Sequence, residues 1–145
     1  QAQLPIMLSY RTHVEHNSLY NTPPCFSIYI LNLTLKWLVK MGGLEAMQKI
    51  NEEKGRLIYQ AIDDSDGFYR GPVEKDSRSL MNVVFRLKSD EMDDLFVKEA
   101  KAAGIIGVKG HRSTGGIRFS IYNANMVDSV KTAVDFMEDF RKRHA

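Results

Sequence analysis

The stretch SLMNVVFRL at residues 79–87 decides the fold, because it has the clearest strand pattern in a chain whose other long segments have helical spacing. Positions 81, 83, 85 and 87 are apolar, and positions 82, 86 and 88 beside them are polar. This period of two is typical of a strand that buries one face. The stretch therefore predicts one strand of a sheet that packs against a core.

Helical patterns surround this strand. Apolar residues recur every three or four positions in four segments, which predict helices over residues 25–41, 44–62 and 90–103 and from about Asn125 to the end. Ser89 and Asp90 are the expected capping residues of the third helix, and Asn125 with Asp128 forms a variant capping box for the fourth. The prolines at 23 and 24 are expected in the first turn of the first helix, with Asn21 or Thr22 as its cap. The first 20 residues have no sustained period and are expected to be extended or loop.

Two further apolar runs, at 105–108 and 117–122, predict short strands on either side of a glycine-rich loop. The predicted order is helix, helix, strand, helix, short strand, loop, strand, helix. Such an order indicates an α+β fold in which a small, mostly antiparallel sheet is covered by helices.

Length and composition exclude several classes of protein. The chain has 145 residues, 43% apolar and 26% charged, and its 20 basic and 18 acidic residues give a net charge of +2. This net charge is too small for general electrostatic binding to nucleic acid. The longest apolar run, 25–39, is shorter than the ~20 residues that span a bilayer, so no membrane partner is expected. The first residue is not Met and no leader pattern follows, so we expect the chain to begin partway through a longer polypeptide.

Cys25 is the only cysteine, which excludes an internal disulfide and is typical of a reducing compartment. Its apolar neighbours predict a small buried residue and not a nucleophile. His13 and His16 lie three positions apart without a third ligand, so we expect surface residues and no metal site.

The loop at 109–118, KGHRSTGGIR, carries the strongest functional pattern. His111, Arg112 and Arg118 place donors and positive charge around glycines that let the backbone approach a ligand. The loop has neither the Walker nor the Rossmann pattern, so the chemistry it indicates is anion binding in general. A solvated hairpin loop with incidental basic residues is the alternative. Asn21 and Thr22 are a second candidate, since a helix N-terminus binds phosphate as readily as it accepts a side-chain cap.

Three segments of the chain resemble the phosphoserine aminotransferases, which are pyridoxal-phosphate enzymes of the class-V aminotransferase family. These segments are SLYNTPPCFSIY at 18–29, RSLMNVVFRL at 78–87 and KGHRSTGGIRFSIYNA at 109–124. The resemblance runs from about Leu8 to the end of the chain. It implies a homodimeric fold-type-I transaminase, with residues 25–145 as its C-terminal small domain and residues 1–24 as an interdomain and dimer-interface segment.

The resemblance also implies roles for individual residues. Asn21 and Thr22 match the pair that binds the phosphate of the partner subunit's cofactor. His111 and Arg112 match residues that hold the substrate phosphate, and Arg118 matches the arginine that clamps the α-carboxylate. The implied substrates are phosphoserine or 3-phosphohydroxypyruvate together with glutamate or 2-oxoglutarate, in cytoplasmic serine biosynthesis.

The family's Schiff-base lysine lies upstream of the matched region, so the resemblance implies no catalytic residue in this chain and no activity of the chain alone. A free-standing, truncated anion-binding or dimerisation module is the alternative. Thr114 and Phe119 depart from the family, which usually has a small apolar residue and Ala there. The bulk of Phe119 beside Arg118 predicts a shifted strand or an altered substrate fit.

Overall fold

The computed structural model describes residues 4–145, so the first three residues of the predicted interface segment 1–24 lie outside the described part. Internal contacts divide the chain into two compact units, Gln1–Met41 and Gly42–Ala145, and each is described by itself. The domain boundary expected between residues 24 and 25 stays a prediction.

The first unit contains a 3₁₀ turn at Ile6–Leu8 and two helices, α1 at Tyr10–Glu15 and α2 at Cys25–Lys40. The expectation of extended chain or loop over the first 20 residues is wrong at α1. The side chains there bond to nearby backbone: His16 Nδ1 lies 2.9 Å from the carbonyl of Thr12, and His13 Nε2 lies 3.1 Å from that of Met7. The bond from His16 satisfies one of the last four carbonyls of α1, which have no partner within the helix.

Helix α2 ends as predicted before the glycine pair, where Gly42 and Gly43 have φ of +101° and +78°. Its start differs from the prediction. Pro24 is the N-cap and no side chain caps the helix, so both prolines precede the first turn. Cys25 is exposed, which contradicts the predicted burial, because none of the residues of α2 is buried.

The second unit contains three helices and two strands, together with a 3₁₀ turn at Lys75–Ser77. In chain order these are α3 at Gly43–Asp63, β1 at Asn82–Phe85, α4 at Asp90–Ala102, β2 at Ile117–Ser120 and α5 at Val127–His144. The strands pair antiparallel, with Val83 opposite Phe119 and Phe85 opposite Ile117. The α+β fold with a small antiparallel sheet is confirmed.

No regular strand forms at 105–108, which corrects the prediction for that run. Gly104 and Gly107 have φ of +83° and +74°, and this conformation breaks an extended backbone. A ladder contact nevertheless remains, because the amide of Arg118 donates to the carbonyl of Val108 at 2.8 Å. Lys109 and Ile117 form an isolated antiparallel bridge next to it.

The core of the second unit lies where one face of the sheet meets the helices. Its centre is a cluster of aromatic rings with many edge-to-face contacts, formed by Tyr69, Phe85, Phe96, Phe119, Phe136 and Phe140. Phe96 of α4 and Phe140 of α5 have no exposed surface, as the helical stripes of those segments predicted. The sheet is therefore held on one side by an apolar layer, and β2 has its other face available for polar side chains.

The two predicted helix caps have different outcomes. Ser89 caps α4 and accepts from the amide of Met92 at 3.4 Å, as predicted. At α5 the N-cap is Met126, without a side-chain cap. The side chain of Asn125 instead donates to the carbonyl of Ser120 at 3.4 Å, so it braces the turn after β2.

Candidate anion-binding site

The loop that joins Lys109 to β2 is closed at its neck by backbone hydrogen bonds. The amide of Gly110 donates to the carbonyl of Gly116 at 2.7 Å, and the amides of Thr114 and Gly115 donate to the carbonyl of His111 at 2.9 and 2.8 Å. A Cβ at position 110 would lie 1.9 Å from the carbonyl oxygen of Gly115. Only glycine is accommodated there, so the neck brings His111 and Gly115 into one tight turn.

Gly115 and Gly116 lie directly on the side chain of Arg86. Both have positive φ, +67° and +71°, in the region that glycine adopts without strain. A Cβ on Gly115 would lie 3.3 Å from Nη2 of Arg86, and one on Gly116 would lie 2.9 Å from Cγ of Arg86 and 2.8 Å from the carbonyl oxygen of Phe85. The second half of the loop therefore packs on the alkyl stem and guanidinium of Arg86 with no space for side chains.

Carboxylates in the first turns of α4 bind the basic side chains that contact or flank the loop. Asp93 is buried, and its Oδ2 accepts from Nε and Nη2 of Arg86, both at 3.2 Å. Its Oδ1 accepts from the amide of Leu87 at 2.8 Å. Asp90 forms a second, exposed ion pair with Arg86, and Asp94 pairs with Lys109 at 3.0 Å. Both ends of the loop are thus tied to α4 through charged groups.

His111 and Arg112 occupy the exposed tip of the loop. The amide of Ser113 donates to Nδ1 of His111 at 3.3 Å, and the hydroxyl of Ser113 lies 2.7 Å from the same nitrogen. Because Nδ1 acts as an acceptor, the neutral imidazole carries its proton on Nε2, which is then a donor for a ligand. In residues 4–145 no ion pair involves Arg112. The tip therefore presents two donors that no acidic side chain neutralises.

Arg118 lies on β2 opposite Val84, on the face turned away from the aromatic core. Its Nε is buried and has no hydrogen-bond partner within the described residues. It borders a cavity of about 430 Å³ that is also lined by Ser120 and Asn125. A buried, unpaired guanidinium nitrogen costs free energy unless an acceptor reaches it, and an anion is such an acceptor.

Phe119 points into the core, where its ring lies 5.6 Å from that of Phe85. Its side chain and that of Arg118 leave β2 on opposite faces, because successive residues of a strand alternate. The bulk of Phe119 is therefore accommodated by the aromatic cluster, and β2 pairs with β1 in a regular register. A shifted strand or an altered substrate fit relative to the family stays a prediction.

Asn21 and Thr22 belong to the first unit and are exposed. Neither caps α2, which removes the interpretation of the pair as helix caps. The side-chain nitrogen Nδ2 of Asn21 makes one long hydrogen bond, 3.4 Å, to the backbone carbonyl of Thr22. No group of three or more His, Cys, Asp or Glu side chains with metal-site geometry occurs in residues 4–145.

Lys54 is a polar residue of the second unit whose burial the sequence interpretation missed. Its side chain has no exposed surface, and Nζ donates to the carbonyls of Ile121, Tyr122 and Asn125 at 3.0, 2.9 and 3.1 Å. Burial lowers the pKa of Lys54. The signal was present, since position 54 falls on the same helical stripe as Met47 and Ile58, but a lysine is ordinarily expected on the solvent side.

A membrane-spanning helix is not found between residues 4 and 145, because none of the helices there combines the length and the apolar character required.

Comparison with known proteins identifies a family match over most of the chain. The model of the family described as Aminotransferase class-V matches residues 4–132. Curated relatives named phosphoserine aminotransferase include that of Niallia circulans, 55% identical over 139 residues, and that of Shouchella clausii, 55% identical over 142 residues. The alignments cover 96% and 98% of this chain but 38% and 39% of the relatives. The chain thus spans about two fifths of the length of these relatives.

Solved structures agree with these matches. The phosphoserine aminotransferase from Bacillus circulans subsp. alkalophilus superposes with a TM-score of 0.92 at 54% identity, over 98% of this chain and 39% of that one. A phosphoserine aminotransferase from Trichomonas vaginalis, described as having pyridoxal phosphate bound, has a TM-score of 0.84 at 37% identity, over 95% of this chain and 39% of that one.

Proposed function

Because the chain belongs to the class-V aminotransferase family, we propose that it is the C-terminal part of a phosphoserine aminotransferase. The complete enzyme would transfer an amino group between glutamate and 3-phosphohydroxypyruvate in serine biosynthesis. The observation that carries the proposal is the closed loop with unpaired donors on His111 and Arg112, together with the separate buried nitrogen of Arg118. This arrangement occurs in a chain whose curated relatives carry that name at 55% identity.

A substrate with an anion at each end explains why two separate cationic groups are needed. In the proposal His111 and Arg112 bind the phosphate, and Arg118 binds the α-carboxylate. Arg118 is suited to the planar carboxylate because a guanidinium can form two parallel hydrogen bonds with it. Because Arg118 is half-buried, water would screen that contact less than one at the surface. Together the two clamps would orient the reacting carbon between them.

The cofactor of the proposed enzyme is pyridoxal phosphate, and the residues of this chain are suited only to its phosphate end. Asn21 and Thr22 would bind that phosphate, since their polar side chains are exposed and do not cap α2. When bound, the cofactor supplies the electron sink for amino-group transfer. Two lysines of the second unit are already engaged, Lys54 with three carbonyls and Lys109 with Asp94. This engagement supports placing the Schiff-base lysine outside the chain and supports inactivity of the chain alone.

We also propose that the complete protein is a cytoplasmic homodimer in which Asn21 and Thr22 contribute to the partner's cofactor site. The apolar and exposed surface of α2, which includes Phe26 at 76% and Val39 at 75% exposure, supports an interface with protein outside this chain. The presence of one cysteine fits a reducing compartment.

The test of function uses the full-length polypeptide that contains this chain, loaded with pyridoxal phosphate. We expect it to convert glutamate and 3-phosphohydroxypyruvate to 2-oxoglutarate and phosphoserine. Arg112→Ala is expected to raise KM for the phosphorylated keto acid by roughly 10- to 150-fold, because loss of a charged hydrogen bond costs about 1.5–3 kcal/mol. The KM for hydroxypyruvate, which lacks the phosphate, is expected to change little.

Lys98→Ala is the matched control, since Lys98 is an exposed cation on α4. Equal effects of Arg112→Ala on the phosphorylated and the phosphate-free keto acid would contradict the assignment of Arg112. Absence of turnover in the full-length protein would favour the alternative, a truncated anion-binding or dimerisation module.

A further inference from the structure

Asp93 is buried and pairs with Arg86, whose side chain is 45% exposed, and together the two residues support the anion-binding loop. We propose that Asp93 is a positioning residue that acts through Arg86 to set the shape of residues 109–116, and thereby determines recognition of the phosphorylated end of the substrate. This inference rests on the proposed function, because it assigns the loop to the substrate phosphate.

The carboxylate of Asp93 is buried. Its side chain is 7% exposed, whereas the neighbouring carboxylate of Asp90 is 84% exposed. A buried carboxylate is costly unless it is fully paired, and Asp93 is paired on both oxygens. Oδ1 accepts from the amide of Leu87, and Oδ2 accepts twice from Arg86. The half-exposed guanidinium is therefore held in position by a carboxylate that is itself almost fully buried.

The guanidinium of Arg86 contacts the loop directly. A Cβ on Gly115 would lie 3.3 Å from Nη2 of Arg86, and a Cβ on Gly116 would lie closer still to the alkyl stem, at 2.9 Å from Cγ. The glycines follow the surface of Arg86, so a change in the rotamer of Arg86 would either push the loop outward or leave a void beneath it. The carbonyl of Gly116 accepts from Gly110, which transmits the position of the glycines to the other end of the loop.

The donors at the tip of the loop lie close to the glycines that rest on Arg86. His111 and Arg112 are three to five residues from the glycines that rest on Arg86, and the carbonyl of His111 accepts from the amide of Gly115. The donors at the tip are thus one hydrogen bond away from the supported turn. Since recognition of an anion by several donors depends on their relative placement, a loosened support is expected to weaken binding and not the chemical step.

Asp93→Asn is the variant that isolates the contact. An asparagine can still accept from the amide of Leu87 through its oxygen, but its neutral amide does not pair with the guanidinium. In the full-length holoenzyme we expect KM for 3-phosphohydroxypyruvate to rise about tenfold with kcat changed by less than about twofold, as for a loss of uniform binding. Arg86→Gln is expected to behave alike, and the double variant is expected to be no worse than either single one, because the two residues act through one contact.

Hydrogen exchange provides a second measurement that does not depend on turnover. In Asp93→Asn the amides of Gly110, Thr114 and Gly115 are expected to exchange faster, while amides in the core of α5 keep their rates. Asp139→Asn, which removes an exposed carboxylate at the far end of α5, is the control and is expected to change neither KM nor these rates.

The outcomes separate this inference from the proposed function. One outcome is that the wild-type holoenzyme has no activity, while in Asp93→Asn loop exchange rises and binding of inorganic phosphate weakens. The proposed function would then be wrong, and the positioning role of Asp93 would be supported. If the wild type is active and Asp93→Asn leaves KM unchanged, the inference is overturned, whether or not the exchange rates rise. A rise in exchange throughout the second unit with unchanged KM would show a purely structural role and would also overturn it.

Discussion

Lys54 is the residue whose environment differs most from what its chemistry predicts. A lysine with no exposed surface is rare, and the structure accommodates it by giving Nζ three carbonyl acceptors from the segment after β2. These carbonyls belong to residues 67–71 positions away along the chain. The ammonium therefore joins the middle of α3 to the turn that follows the strand bearing Arg118.

Replacement of Lys54 by Met is expected to lower the free energy of unfolding by about 3 kcal/mol. The three carbonyls would lose their donor in a buried place, and each unsatisfied group costs about 1–3 kcal/mol before the structure relaxes. Urea unfolding of the 145-residue chain, followed by circular dichroism, measures the change. Lys49→Met, on the exposed side of the same helix, is the control and should cost less than about 0.5 kcal/mol. Equal costs for both variants would contradict a structural role of Lys54.

At the scale of elements, the end of α3 is fastened to the chain before β1 by ion pairs of Asp63 with Arg78 and, at 3.4 Å, with Lys75. Arg78 donates from Nη1 and Nη2 to the two oxygens of Asp63 at 2.9 and 2.7 Å, and the guanidinium lies 4.5 Å from the ring centre of Tyr59. The hydrogen bonds from Arg78 lower the pKa of Asp63 in the folded chain. This contact helps to set where β1 begins, and β1 ends at the residue before Arg86.

Asp63→Asn is expected to destabilise the chain by about 0.5–1 kcal/mol at pH 7, the range of a well-formed surface ion pair. Because the folded pKa of Asp63 lies below its unfolded value, this stabilisation is present above the unfolded pKa and is lost as the pH falls through the folded pKa. The difference between wild type and variant should therefore disappear in strong acid. Urea unfolding at pH 7 and near pH 2.5 measures it, with Asp64→Asn as the control. A difference that persists in acid would contradict the ionic origin.

The elements were predicted with unequal success, and the reason is the range of the interactions that form them. Helices α2 and α4 and strand β1 follow local periodicity and were found. The predicted strand at 105–108 failed because two glycines take left-handed conformations that an apolar run does not reveal. Asn125 was misassigned as a helix cap because its side chain bonds back to Ser120 in the preceding turn, and its carbonyl accepts from Lys54, 71 positions away.

On the scale of the whole molecule, α2 is the feature that most needs other protein. Ile28, Leu31 and Leu35, at positions that share one helical face, are 51–57% exposed. An apolar stripe of this kind is expected to make the 145-residue chain self-associate.

Leu31→Glu combined with Leu35→Glu is therefore expected to increase the monomer fraction of the 145-residue chain, since charged side chains oppose burial of the stripe. Sedimentation velocity over a range of concentrations measures this fraction. Asn32→Glu, an exposed and already polar position on the same helix, is the control and should have a smaller effect. A wild-type chain that is monomeric at all concentrations would contradict the prediction.

Borohydride reduction in the presence of pyridoxal phosphate distinguishes the complete enzyme from the chain alone. In the full-length polypeptide we expect one stoichiometric adduct on a lysine outside these 145 residues. In the isolated chain we expect no single-site adduct, because the proposal places the Schiff-base lysine outside it, and Lys54 and Lys109 are engaged. Peptide mapping by mass spectrometry gives the answer, and a stoichiometric adduct with turnover in the isolated chain would overturn the proposal.

The amino-acid sequence by itself determined the fold class, the family and the segments that are proposed to bind anions. These features depend on local periodicity and on residue types within short strings, and both are visible along the chain. Only the tertiary structure decided that Lys54 is buried, that Arg118 has an unpaired buried nitrogen and that Gly115 and Gly116 rest on Arg86. Each of these depends on groups that are distant in sequence and meet only when the sheet and helices pack, so no local pattern records them.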